Sequence, residues 1–255
     1  MPAKFGLRLL AVCTTLGLSS ACALLPDFSS GMSNQEKAKL NLQMGARYME
    51  MDMLEVAKEK LDTAYDLDSG NPDTLNALAV YYERMKNDEE ASDFYESAIS
   101  KDPDNYSIKS NYGHFLCQRG KNDKGMTYLQ EAIDSPLNKR SWLALTNIGL
   151  CKLRQNDANQ AEDYFRRALQ ANPAYPPALQ EMIKLSYNDQ EFMSARALLE
   201  RFSAVSKPTP AALWYGFQIE RALGNRQGAE TYKDQLLTSF PTSNEATEVK
   251  SAISK

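Results

Sequence analysis

Four cysteines and one histidine carry most of the reactive chemistry that this chain could offer. His114 stands alone as an imidazole. Nucleophilic catalysis needs a serine or cysteine beside such a base, with a third group to orient it. No second histidine is present, and no group of acids, cysteines and His114 has metal-ligand spacing. The sequence has no Gly-x-Gly-x-x-Gly and no Gly-Lys-Ser/Thr, the runs that cradle phosphates. The expectation is a protein that is not an enzyme and uses no cofactor. His114 then reads as a groove or packing residue.

Cys117 and Cys151 lie 34 residues apart. In an oxidising compartment a bridge between them would close a long loop and add roughly 2–4 kcal/mol of stability. The other reading is two buried thiols, since free cysteine behaves as a small apolar side chain.

Cys22 closes a different pattern. Lys4 and Arg8 give positive charge, Leu7–Leu18 is mostly apolar, and Ser19, Ser20 and Ala21 are small. That is the layout of a secretory signal. It resembles the bacterial lipoprotein signal, in which the cysteine becomes the lipidated first residue. Leucine usually stands three places before that cysteine; here Leu18 lies one place further back and Ser19 fills the position. The alternative is ordinary cleavage nearby, leaving Cys22 as a thiol. Ala23 follows it, and the lack of aspartate there implies sorting to the outer membrane. Without Lys4 and Arg8, 27 basic residues face 33 acidic ones. So acidic a body is repelled by anionic lipid, and acyl chains would have to hold it at the membrane.

These residues sit in a strongly periodic chain. Ala161 is followed by Phe165, Ala168 and Pro173, and Ala91 by Tyr95, Ala98 and Pro103. The small slot recurs at Ala57, Ala91, Gly125, Ala161, Ala195 and Ala229, with gaps of 34, 34, 36, 34 and 34 residues. A 34-residue period is the mark of tetratricopeptide helix–turn–helix repeats. Positions four and seven apart share a helical face, so a small residue beside a large one lets two helices pack closely. The expected fold is all-α, a right-handed superhelical solenoid of six tetratricopeptide repeats. The signal occupies 1–21, and the lipidated cysteine with a flexible tether 22–37. The repeats fill 38–243 and a capping helix 244–255. The extra two residues fall in Ser135–Arg140, the turn between repeats three and four, where insertion is cheap. Lys233 takes a slot for a large residue and marks repeat six as degenerate.

Composition narrows function further. A hydrophobic share of 43% is too low for a multi-span membrane protein. A net charge of −4 with no basic cluster argues against nucleic acid. A groove on the concave face is left as the working surface. The repeat register places Leu42, Ala46 and Met49 there in repeat one, Asn76 and Val80 in repeat two, and Asn111 and His114 in repeat three. Leu42 and Ala46 stand where a carboxylate clamp would need lysine and asparagine. The apolar strip Leu42–Ala46–Met49 therefore suits an apolar peptide or helix.

Three blocks of the repeats carry a resemblance: Asn111–Cys117, Asn147–Cys151 and Leu213–Glu220, with Phe240-Pro241 behind them. In order and spacing they resemble the type IV pilus biogenesis/stability lipoproteins of the PilF/PilW family. The resemblance implies a pilotin. Such a protein is a monomer anchored by lipid in the outer membrane and facing the periplasm. It helps a PilQ-like secretin reach that membrane and form its multimeric ring, and so supports pilus formation and twitching. It also implies that Cys117 and Cys151 are bridged. The competing expectation is a periplasmic tetratricopeptide lipoprotein that serves another envelope assembly machine.

Overall fold

In the computed structural model, residues 31–253 are described; Cys22, its signal and most of the expected tether lie outside them. Thirteen helices account for the regular structure of the described residues. Six antiparallel pairs form the repeats. They are α1 (Asn34–Glu50) with α2 (Leu54–Leu67), α3 (Pro72–Arg84) with α4 (Asp88–Lys101), and α5 (Tyr106–Gln118) with α6 (Asn122–Asp134). Then come α7 (Ser141–Arg154) with α8 (Ala158–Ala171), α9 (Pro176–Asn188) with α10 (Phe192–Val205), and α11 (Pro210–Ala222) with α12 (Arg226–Ser239). A last helix, α13 (Asn244–Ile253), packs on α11 and α12. The expected all-α tetratricopeptide solenoid is the fold.

The periodic slots do what their sizes dictate. Ala57, Ala91, Ala161 and Ala195 are wholly buried, as are Leu61, Leu129 and Phe165 four residues on from their slots. Glycines on the first helices sit against the large residues. A Cβ on Gly45 would meet Leu61 at 2.7 Å, and one on Gly149 would meet the Phe165 ring at 2.5 Å. In repeat six Lys233 replaces the large residue and pairs with Glu230. The core there is closed instead by Leu236 of α12 and by Ala246 and Val249 of α13.

Helix ends are made by two devices. Starts use Pro at the first helical turn of α3, α9 and α11, or side-chain caps such as Asn71 and Asn105, each accepting from two backbone N–H groups. Each first helix ends in a left-handed residue: Asp52, Lys86, Gly120, Asn156, Gln190 or Gly224. Beside it, the amide of the following residue bonds back five positions, as from Met53 to Tyr48 and from Asn87 to Tyr82. This is the Schellman closure.

One boundary differs from expectation. The sequence pattern runs the tether to residue 37, but α1 begins at Asn34. Ser33 accepts from the Glu36 amide and the Glu36 carboxylate accepts from the Ser33 amide. This reciprocal capping box starts the helix before the apolar periodicity is visible.

Candidate functional site

The groove follows from which helices touch. The first helices pack on one another directly, α1 on α3, α3 on α5, α5 on α7 and α9 on α11. Among the described residues no second helix makes a comparable contact with another second helix. The first helices are thus the inner layer, and their free faces line the concave side.

Leu42 and Ala46 are half-buried there, packed against the cluster of Ala57, Leu61, Leu78 and Tyr81. Val80 bridges that cluster and the next. Met49 departs from the expected groove position: it is only 7% exposed and is itself a member of the core. Its unbranched side chain fills the space between repeats one and two, and Arg84 Nη1 donates to its carbonyl oxygen at 2.6 Å. The expected apolar strip is thereby reduced to Leu42 and Ala46.

A polar row runs further along the inner layer. Asn111 Nδ2 donates to Asn76 Oδ1 at 3.1 Å. One repeat on, Asn147 Nδ2 donates to Ser110 Oγ at 3.1 Å and to the Ser110 carbonyl at 3.3 Å. Past Asn111 the groove deepens into a cavity of about 350 Å³, walled by α5 and α7 and reaching Tyr175 at the start of α9. Tyr106, Ser110, Asn111, His114, Asn147 and Tyr175 line it, and Arg140 stands at its rim. Asn111 and His114 of the expected contacts reach this cavity; Leu42, Ala46, Asn76 and Val80 do not line it. Asn147, Arg140 and the two tyrosines are contacts that the repeat register alone does not single out. Asn147 has a signal, since asparagine recurs once per repeat at 76, 111 and 147.

His114 is held here as a hydrogen-bond acceptor in one tautomer. Arg119 donates to Gln118 Oε1, which turns the Gln118 amide so that its Nε2 faces His114 Nε2 at 2.6 Å. An amide nitrogen only donates, so the imidazole accepts at Nε2 and carries its proton on Nδ1. That Nδ1 is buried without a partner among the described residues. Burial first, then the nearby Arg154 and Arg119 charges, lowers its pKa to about 4 and keeps it neutral.

The two helices that wall the cavity are joined covalently. Cys117 of α5 and Cys151 of α7 form a disulfide, with Cα atoms 5.4 Å apart. Leu129 and Ile148 pack around it. This explains why repeat three alone has glycine in the small slot. A Cβ on Gly125 would meet Cys117 Sγ at 2.7 Å and the Gly113 carbonyl at 2.7 Å. The insertion is equally ordered: Asn138 Nδ2 donates to the Ala132 carbonyl at 2.7 Å, and the Arg140 amide donates to Asn138 Oδ1 at 2.8 Å.

Tetratricopeptide-repeat family models match residues 72–105, 116–176 and 152–214. The type IV pilus assembly protein PilF of Pseudomonas aeruginosa is 28% identical over 204 residues, 80% of this chain and 81% of its own. An uncharacterised protein of Haemophilus influenzae is 28% identical over 57% of this chain and 88% of its own. Among solved structures, P. aeruginosa PilF aligns with a TM-score of 0.69 at 27% identity, covering 86% of this chain and 99% of that one. PilW, a type IV pilus biogenesis factor, aligns with a TM-score of 0.68 at 29% identity, covering 83% and 97%. Sequence and structure thus agree over nearly the whole length of these relatives, and the chain belongs to the PilF/PilW-like type IV pilus family of tetratricopeptide-repeat proteins.

Proposed function

We propose that this protein is a non-enzymatic adaptor of type IV pilus assembly, a pilotin anchored through Cys22 at the periplasmic side of the outer membrane. Its concave groove holds a segment of a PilQ-like secretin and so promotes the secretin's localisation and multimerisation. The observation that carries the reading is the alignment with PilF and PilW over more than four-fifths of this chain. The arrangement of the groove adds to it. Half-buried Leu42, Ala46 and Val80 and the carboxamides of Asn76 and Asn111 lie along the inner layer, which leads to the cavity beside His114. Lipid anchoring would raise the local concentration of the groove near the secretin's membrane without any added contact.

The test is a deletion strain complemented with wild type or with Cys22→Ala. Wild type should restore secretin multimers and twitching. Cys22→Ala should leave secretin monomers in the wrong membrane fraction and should no longer incorporate radiolabelled palmitate. Normal secretin multimers in the deletion strain would sink the reading. Loss of outer-membrane porins in that strain, with twitching intact, would instead favour a scaffold for another envelope machine.

A further inference from the structure

The two-residue insertion is the single break in the repeat period, and its side chains are not idle. Asn138 uses both ends of its carboxamide to shape the turn, capping the Ala132 carbonyl and receiving the Arg140 amide. The result is to set Arg140 at the rim of the cavity between α5 and α7. No carboxylate pairs with the Arg140 guanidinium among the described residues, and no aspartate or glutamate lines the cavity. That is unusual in a chain where acids outnumber bases by 33 to 29. His114 is held neutral by its burial, so Arg140 is the one formal charge among the described residues that line the cavity. The cavity also offers open acceptors. Asn111 and Asn147 spend their Nδ2 groups inside the protein, while Oδ1 of each has no donor among the described residues. A carboxamide oxygen facing a groove is a natural acceptor for a peptide N–H.

We propose that this cavity is an acid-reading subsite: it takes an extended polypeptide segment whose main-chain N–H groups donate to Asn111 and Asn147 and whose carboxylate pairs with Arg140. The carboxylate is a side chain or the C-terminus. This subsite lies in repeats three to five and is separate from the repeat-one position that lacks clamp residues. The proposal rests on the concave face being a partner groove and specifies the chemistry of the occupant. A planar guanidinium can hold a carboxylate through two parallel hydrogen bonds, which a free lysine could not match. The ordered turn lowers the entropy lost on binding, because Arg140's backbone is already fixed.

The experiment is selection of random twelve-residue peptides displayed on phage, against the oxidised full chain. Selected peptides should be enriched in aspartate or glutamate. Synthetic copies should bind on the order of tenfold more weakly to Arg140→Glu, which removes an exposed charge-assisted pair and sets like charge against the carboxylate. Added salt should weaken binding to the wild type more than to Arg140→Gln. A second selection on Arg140→Glu should turn the enrichment to lysine and arginine. Thermal melts and thiol titration of each variant separate lost binding from lost fold. No selected peptide, no acidic enrichment, or equal affinity for wild type and Arg140→Glu would each overturn the proposal. These readouts need no pilus system. Failure here with multimers still dependent on the protein in cells would reject the subsite and leave the pilotin reading standing.

Discussion

The His114 proton has nowhere to go. It sits on Nδ1, buried without an acceptor among the described residues, because Gln118 claims Nε2. Its pKa of about 4 in the fold lies below the ordinary 6.5, so the unfolded chain takes up a proton first as the pH falls. Stability from this residue is therefore complete above about pH 6.5 and drains away toward pH 4, by on the order of 2–3 kcal/mol. His114→Gln keeps a partner for Gln118 but cannot titrate, so the wild type should lose more stability than the variant across that interval. Urea denaturation at several pH values reads the difference; parallel losses would refute the assignment. At this scale the sequence holds half the answer. A lone histidine without a catalytic partner reads directly as a packing or groove residue, but its tautomer depends on an amide orientation that only the fold reveals. The left-handed helix ends are hidden too. Only two of the six are glycine; Asp52 and Asn156 are of types that visit positive φ, but Lys86 and Gln190 give little local sign of it.

Between helices, the small-against-large slot is the unit of construction, and it is legible because size is written directly into residue type. Gly149 against Phe165 is as tight as any: a methyl group added at the glycine would lie 2.5 Å from the ring. Gly149→Ala should cost about 1–3 kcal/mol through forced displacement of that ring, despite alanine's better helix propensity. Phe165→Leu should cost a similar amount alone by leaving a gap. Together they should cost less than the sum, because the smaller side chain leaves room for the new methyl. A double-mutant cycle by denaturation measures the coupling, and strict additivity would show that the two helices do not share this contact. Two element-level features escape the periodicity. The capping box at Ser33–Glu36 starts α1 early, since cap chemistry precedes the apolar face it serves. The cavity lies further along the array than the apolar strip implies, because Arg140 enters it from an insertion and an insertion has no register. Met49 shows the converse: its register position faces the groove, yet the approach of α3 buries it.

Over the whole molecule, stability in a solenoid is a sum of repeats and the interfaces between them, so one weak interface can divide it. The apolar clusters part at one seam, where α7 packs on both α5 and α6. One large cluster runs from Leu145 to Ile219 through repeats four to six, and another joins repeats two and three around Tyr95 and Tyr112. Between them stands the small cluster of Cys117, Leu129, Ile148 and Cys151, at the opposite end of α7 from the turn that carries the insertion. The disulfide is thus a staple across the joint. By closing a loop of 34 residues it should contribute about 3–4 kcal/mol, more than most single contacts. The oxidised protein should therefore unfold as one body. With Cys117→Ser and Cys151→Ser, the two halves should separate in urea. Both tryptophans, Trp142 and Trp214, lie in the second half, so their fluorescence reports that half alone while far-UV circular dichroism reports every helix. The two probes should trace one curve in the oxidised protein and diverge in the double variant, with the circular dichroism transition broadened. Because the staple also fixes α5 against α7, the walls of the cavity, the same variant should bind an acidic peptide more weakly even where both halves remain folded. Coincident curves in the double variant would mean that the packing of Leu129 and Ile148 alone couples the halves, and the staple would then serve stability without serving cooperativity.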